Sequence, residues 1–480
     1  MCRRRKKIPF KRYKAWFTQS MQAEHLQRCT FAKNNHMKKT TLIVLMVFIA
    51  GQLLAQATVF AKLDSLFTAL ETNNKAMGSV AIRQDGKLVY SKAVGMAAFN
   101  EGKPAASTPA TVYRIGSISK MYTAALSFLL IQQDKLSMET PLSEFYPSLA
   151  NAGKIKIKHL LGHTSGLFNI TADSTYEKWH TAPVSKEEMI SKMLQHPPLF
   201  EPGAKKQYSN SNYILLGYII ESITKKSFQE NLQQYINRIT GAQHTQYGSK
   251  TDPSKKEAYS FSFENNSWVQ QPETDMSIPH GAGAITATAD DVALFAEKYI
   301  GGNILNPQWT DTVTNVPKML GYGVMKFVHG AETGYGHNGA IDGFNTSVIY
   351  FPAKKTSIAF LSNGINYSID EIVTAALKIY NGAEYTIPSF KTVHLTEAEL
   401  EKFKGVYSSE KIPLKITVGS NKNGMTVQAT GQPEFEMAAE TATRFNNDRI
   451  GVVLEFIVNN DNTVKEMVLK QGGAEISFTK

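Results

Sequence analysis

The chain of 480 residues has only two cysteines, Cys2 and Cys29. Both precede position 57, so the long remainder has no thiol for a disulfide, a Cys-ligated metal or a cysteine nucleophile. Net charge is missing there too. The formal net charge is +11, yet residues 1–57 hold twelve Lys and Arg against one acid, Glu24, and the remainder balances 40 basic with 40 acidic side chains. A neutral body gives a polyanion no electrostatic footprint, so nucleic acid is not an expected partner. The apolar run Leu42 to Ala50 falls short of the roughly 20 residues that a membrane-spanning helix needs.

That short run has its own reading. Lys38 and Lys39 precede it, and Ala55-Gln56-Ala57 follows it. Positive region, apolar region and A-x-A triplet together form a secretory signal. Residues 1–57 are therefore expected to be a basic extension plus signal peptide, cleaved after Ala57, with Met37 as an alternative start. The mature protein would be periplasmic or extracellular and would keep no stable membrane span. An uncleaved anchor is the competing reading. No cysteine follows the run to take a lipid.

With 42% hydrophobic residues, the rest can bury a sizeable core. Val59, Leu63, Leu66, Phe67 and Leu70 recur at helical spacing. Ser79 to Gly95 reads as two strands joined at Asp85-Gly86, a hairpin turn. A helix is expected from Ser117 to about Gln133, a buried one over Tyr213–Ile223, and one capped by a box at Thr288–Asp291. Phe344–Phe351 and Thr356–Asn363 form a second hairpin, followed by a helix over Asp370–Tyr380. Strands at both ends of this unit with helices between predict an α+β fold: an antiparallel sheet flanked by helices, with an all-helical subdomain over about 137–280. The expected boundaries are one domain over 58–384, a linker over 385–395, and an all-β barrel or sandwich over 396–480. Six strand-like runs populate that last module, among them GVYSS, LKITVG and EISFTK.

Chemistry concentrates in three places. In YRIGSISKMYTAAL, Ser117 stands three residues before Lys120 as an extended run becomes helical. The spacing puts both on one helical face, and a serine there lies near unpaired N–H groups and the positive helix end. A dry lysine has a lowered pKa and can accept a proton. S-x-x-K also occurs at Ser222–Lys225 and Ser408–Lys411, so context carries the assignment. The plain alternative is an N-cap serine with a solvated lysine. The second place is Tyr208-Ser209-Asn210, just before the buried helix. Beside Lys120 and another cation, a Tyr208 phenolate could take the serine proton, and the Asn210 amide could hold substrate. Y-x-N recurs at Tyr235–Asn237 inside a helix. The third is GYGHNGAIDGFN, Gly334 to Asn345. Glycines around His337 and Gly339 allow close backbone approach to a ligand, and an edge strand here would offer main-chain pairing and an oxyanion amide. A tight turn with an exposed histidine is the alternative.

These elements, in this order, resemble the serine β-lactamase and penicillin-binding-protein superfamily. The resemblance is to its branch of AmpC-type β-lactamases, D-Ala-D-Ala carboxypeptidases, D-aminopeptidases and esterases. It runs from about Leu63 to Tyr380, through phrases such as YRIGSISK, IKIKHLLGHTSGL, FEPGAKKQYSNSNYILLGYIIE and GHNGAIDGF. It implies Ser117 as acylated nucleophile, Lys120 and Tyr208 as proton-transfer groups, Asn210, His337 and Gly339 against substrate, and an oxyanion hole from the N–H groups of Ser117 and Ala340. Efficient β-lactamases of this branch carry K-T-G where this chain has H-N-G; a neutral imidazole holds a carboxylate less well than an ammonium does. The implied activity is hydrolysis of an amide or ester, a D-amino-acid peptide or small ester, with a small or peptide substrate that could derive from peptidoglycan. A class C-like β-lactamase and a silent binder of cell-wall peptide are the alternatives. No metal or organic cofactor is implied. His159 and His163 have zinc-like i,i+4 spacing but no third ligand; His163 is expected to brace the loop through Gly166. The terminal module resembles the lipocalin-like domain appended to such hydrolases.

Overall fold

The computed structural model describes residues 56–100, 102–316, 320–471 and 474–480. The basic extension and apolar run expected to form the leader lie outside the described residues. Residues 56–72 form helix α1, and Leu63–Lys480 form one compact unit.

The Asp85-Gly86 signal holds: β1 (Ala76–Gln84) and β2 (Lys87–Val94) are antiparallel partners, with Asp85 and Gly86 both at positive φ, as a tight hairpin turn requires. Four further strands of the sheet come from the far end of the domain. They are β5 (Met325–His329), β6 (Glu332–Ile341), β7 (Phe344–Phe351) and β8 (Thr356–Ile365). The order along these six strands is β5-β6-β7-β8-β1-β2, every neighbouring pair antiparallel. β1 and β8 are buried along almost their whole length, so both faces of the sheet are covered. On one face Phe67 of α1 packs on Phe360 of β8, ring centroids 5.8 Å apart. On the other, Ala81 and Ala359 join the main core with Val348 and Leu361.

Short strands β3 (Tyr113–Arg114) and β4 (Ile285–Ala287) pair beside the sheet and launch two helices. α2 (Ser119–Gln132) follows β3 and is buried from Ser119 through Ile131, the pattern of a central helix. α5 (Ala289–Ile300) follows β4; Phe295 stacks on Tyr122 of α2, centroids 3.6 Å apart. Half of the expected capping box is present. Thr288 accepts from Asp291 N, but the Asp291 carboxylate accepts from His244 N and Thr245 Oγ1 instead. Between α2 and α5 lie α3 (Asn210–Thr224) and the short α4 (His280–Gly283). This insertion is not purely helical: Phe261–Glu264 and Ser267–Gln270 form a hairpin that reaches β8. Helix α6 (Ile369–Tyr380) closes the domain.

Beyond it, eight antiparallel strands follow in sequence order from Gly405 to Phe478. Ser408 and Thr479 exchange backbone hydrogen bonds of 2.8 and 2.9 Å, which nearly closes the sheet into a barrel. Phe403, Tyr407, Phe445, Leu454, Phe456 and Met467 fill its interior. Two strands, Phe435–Ala439 and Arg444–Asn447, join the six read from the sequence. Among the described residues no helix is long and apolar enough to cross a membrane.

Candidate active site

Ser117 sits in a turn that only glycine can complete. Gly116 has φ +52, and a Cβ on it would stand 2.8 Å from Ala340 N. Ile115 N donates to Ile285 O, so β4 fixes the chain up to the turn. A single 3₁₀ turn, Gly116–Ile118, then feeds α2. Ser117 makes no capping bond, and Lys120 is 0% exposed; the cap-and-solvated-lysine alternative is not the arrangement found.

Lys120 Nζ has three oxygens around it: Ser117 Oγ at 3.0 Å, Asn210 Oδ1 at 2.7 Å and Ala282 O at 2.8 Å. None is a carboxylate. Burial without a counter-charge pushes the amine well below its ordinary range. A neutral amine keeps two N–H bonds. Asn210 Oδ1 and the Ala282 carbonyl can only accept, so they take both, and the lone pair is left for the Ser117 hydroxyl.

Tyr208 donates its O–H to Ser117 Oγ at 2.9 Å, and Lys120 Nζ lies 4.9 Å from its ring centroid. Burial pushes the phenol up to about 12, with the Ser117 hydrogen bond pulling the other way. Tyr208 is thus a phenol near neutral pH. The expectation of a stabilised phenolate is revised, because burial raises the phenol and also disfavours the charged form of the lysine that was to stabilise it.

Asn210 reaches this cluster from the start of α3. Its Nδ2 donates to Thr171 Oγ1 at 2.8 Å and its backbone N to Asn169 Oδ1 at 2.9 Å. Both ends of the amide are engaged within the protein, with Oδ1 on Lys120. His337 lies on β6, only 2% exposed, its ring centroid 6.5 Å from that of Tyr208. Burial is the chief cause that lowers it to about 4; it is a neutral imidazole and not an exposed turn residue.

β6 reaches the nucleophile by close packing. β5 covers it only from Glu332 to Gly336, so β6 is an edge strand only along its second half. A Cβ on Gly339 would stand 2.1 Å from Ile115 O, and Thr346 Oγ1 donates to that same oxygen at 2.9 Å. The Ala340 amide is thereby held against the Ser117 turn.

Arg114, three residues before the nucleophile and 3% exposed, carries a network the sequence reading missed. It donates to Thr274 O at 2.7 Å, Asp342 at 3.1 Å, Glu273 at 2.5 Å and Ser249 O at 3.2 Å. Asp342 in turn accepts from Thr274 N and Oγ1. The ends of the segment over 249–275 are so tied to the β6–β7 turn, beside a cavity of 680 Å³ that Arg114, Tyr247 and Glu273 help to line. A buried arginine inside YRIGS was the available signal. Thr171 and the Ala282 carbonyl had none. Nδ1 of His159 accepts from Lys156 N and Nδ1 of His163 from Ser209 N, and among the described residues no three His, Cys, Asp or Glu side chains gather as a metal site.

Comparison with known proteins agrees with this geometry. A family model described as Beta-lactamase matches residues 63–375. Penicillin-binding protein 4* of Bacillus subtilis (strain 168) is 24% identical over 442 residues, 86% of this chain and 97% of that protein. Teichoic acid D-alanine hydrolase of Staphylococcus aureus (strain NCTC 8325 / PS 47) is 28% identical over 253 residues, 52% of this chain and 59% of that protein. Two solved structures share the fold. D-amino acid amidase from Ochrobactrum anthropi SV3, complexed with D-phenylalanine, has a TM-score of 0.59 at 20% identity, over 67% of this chain and 99% of that one. The octameric penicillin-binding protein homologue from Pyrococcus abyssi has a TM-score of 0.62 at 22% identity, over 87% and 99%. The matched stretch takes in the whole sheet, both halves of the nucleophile turn and every side chain around Lys120, and the chain belongs to the Beta-lactamase family of serine hydrolases.

Proposed function

We propose that this chain hydrolyses an amide or ester of a D-amino acid through an acyl-enzyme on Ser117. One observation carries the reading: Ser117 Oγ lies 3.0 Å from the Lys120 amine and 2.9 Å from the Tyr208 phenol, with burial pushing the first pKa down and the second up. The Ser117 proton passes to the Lys120 lone pair as Oγ bonds to the substrate carbonyl carbon, and the carbonyl π electrons move to its oxygen. The N–H groups of Ser117 and Ala340 receive that oxyanion, each such donor being worth about 3 kcal/mol. As the tetrahedral species collapses, the bond to the leaving nitrogen or oxygen breaks. The leaving group takes its proton from Tyr208, which is refilled from Lys120. Water then repeats the sequence on the ester carbonyl and frees Ser117.

The D-amino-acid assignment draws on two relatives, whose names state a D-alanine hydrolase and a D-amino acid amidase. Neutral His337 disfavours a substrate that must be held by its carboxylate, which places β-lactams and carboxypeptidase substrates behind small amides and esters. A silent binding protein would have no use for a discharged lysine on a serine. Export through a signal peptide is part of the proposal; the amino terminus of protein recovered outside the cytoplasm should be Thr58.

The test is to incubate the protein with a fluorophosphonate, a penicillin and nitrophenyl esters of D- and L-alanine, then weigh it intact. Ester turnover with a fluorophosphonate adduct on Ser117 is expected. Ser117→Ala should lose roughly 10⁴-fold or more in kcat. An alanine variant with wild-type turnover refutes the assignment. A long-lived penicilloyl adduct without ester turnover replaces it with a penicillin-binding role.

A further inference from the structure

Three consecutive residues of the catalytic loop are held by one residue that takes no part in the proposed chemistry. Gln207 N donates to His163 O at 2.9 Å. The Tyr208 ring stacks on the His163 imidazole, centroids 4.5 Å apart at 22°. Ser209 N donates to His163 Nδ1 at 3.1 Å. His163 is 0% exposed and has φ 56, a left-handed conformation that a side-chain-bearing residue keeps only where the surroundings impose it. Tyr213 packs on it, centroids 5.1 Å apart. Asn212 Nδ2 lies 3.4 Å from the same Nδ1, while Asn212 Oδ1 accepts from Ser165 Oγ at 2.6 Å.

The hydrogen-bond pattern fixes the tautomer. A backbone N–H can only donate, so Nδ1 must present its lone pair to Ser209, and the ring proton belongs on Nε2. Protonating Nδ1 would break the bond to Ser209. The ionisable groups around the ring are Lys120, His337 and Lys206, with the Tyr208 and Tyr213 phenols. Burial is the chief cause that holds the imidazole well below its ordinary range, so the lone pair is kept.

We infer that His163 is a positioning residue of the reaction: its imidazole sets the height and tilt of the Tyr208 ring, and with them the 2.9 Å contact between Tyr208 OH and Ser117 Oγ. This rests on the acyl-transfer reading above and exceeds a brace for the loop at Gly166. Among the described residues the other ring near Tyr208 is His337, 6.5 Å away and tilted 46°, and Lys120 Nζ lies 4.9 Å from the Tyr208 ring centroid. A Tyr208 ring that rocks about its Cβ swings its hydroxyl through the largest arc, so a loose wall misplaces the one atom that matters.

Two variants separate the wall from the acceptor. His163→Asn keeps an acceptor for Ser209 N–H and tolerates the positive φ, but removes the stacked face. His163→Phe keeps a face and removes the acceptor. Turnover of a nitrophenyl ester is measured per fluorophosphonate-titrated site, so unfolded protein is not counted. Each variant should lower kcat about 10–100-fold with KM within about threefold, and should move the kcat pH profile. In a Tyr208→Phe background the same substitutions should change kcat by less than about threefold, because His163 acts through Tyr208. Wild-type kcat per titrated site, or losses that multiply in the double variants, overturns the inference. Should neither variant fold, ¹⁵N spectra of the wild-type imidazole decide: a neutral ring with its proton on Nε2 is expected throughout the pH range of turnover, and an Nδ1–H or charged ring there overturns it. Wild-type protein that never labels on Ser117 sinks the acyl-transfer reading instead; labelled wild type with unaffected variants sinks only the role of His163.

Discussion

One added methyl group tests whether the Ala340 amide belongs to the reaction. In Gly339→Ala the new Cβ would stand 2.1 Å from Ile115 O, 2.4 Å from Thr346 Oγ1 and 3.1 Å from Ile115 C. The Thr346 hydroxyl can rotate away. Ile115 O cannot, because it is main chain in the turn before the nucleophile and also accepts from Ile118 N. A carbon settles against a carbonyl oxygen at about 3.3 Å, so the 2.1 Å approach must open by roughly 1 Å. Gly339 has no positive φ to lose, so displacement is the whole effect. The strand carries the next amide, Ala340, with it. Oxyanion donors work at about 2.7–3.1 Å, and removing one costs about 10²–10³ in kcat; the steric strain itself costs about 1–3 kcal/mol. The expected result is a folded protein whose fluorophosphonate labelling and ester kcat fall about 100-fold while KM moves little. Gly153→Ala, where an added Cβ meets nothing within 4 Å, is the control and should match wild type. A folded Gly339→Ala with kcat within threefold of wild type would refute the claim that β6 supplies an oxyanion donor.

Three further outcomes follow from the protonation states. Lys120 must be neutral to act, and its folded pKa is depressed, so kcat/KM should rise with pH through that lowered pKa and be flat well below the ordinary lysine range; Lys120→Arg, which stays charged, should leave no measurable turnover. Tyr208→Phe keeps the stacked ring and loses the proton donor, and should cost about 10²–10⁴-fold in kcat with KM little changed. His337 and His280 titrate at about 4 and about 3 when folded, both from burial, against about 6.5 when unfolded. The unfolded chain therefore binds those protons first, so melting temperature should be flat above about pH 6.5 and fall steadily from there towards pH 4; a protein equally stable at both ends contradicts the burial of both rings.

Parts of this molecule announce themselves in sequence and parts do not, for reasons that differ by residue. The Asp85-Gly86 turn and the β7–β8 hairpin were legible because turn chemistry and strand periodicity are local. Phe435–Ala439 and Arg444–Asn447 were not, because FEMAA and RFNN lack the β-branched residues that mark a strand, and barrel neighbours impose the pairing. Ser117, Lys120 and Tyr208 were legible as residue types at telling places. Their charge states were not, since these depend on what surrounds them in space. Reading Tyr208 beside Lys120 suggested a phenolate held by a cation. Folding removes water from both, and with no carboxylate beside Lys120 the cheaper state is amine plus phenol. That choice has a consequence for the chemistry. A resting ion pair would have to be reached by moving a proton before the reaction starts, whereas here the base is already free and the acid already loaded. The Ala282 carbonyl and Asn210 Oδ1, two acceptors with no motif of their own, enforce this by leaving the Lys120 lone pair a single direction, and that direction is Ser117.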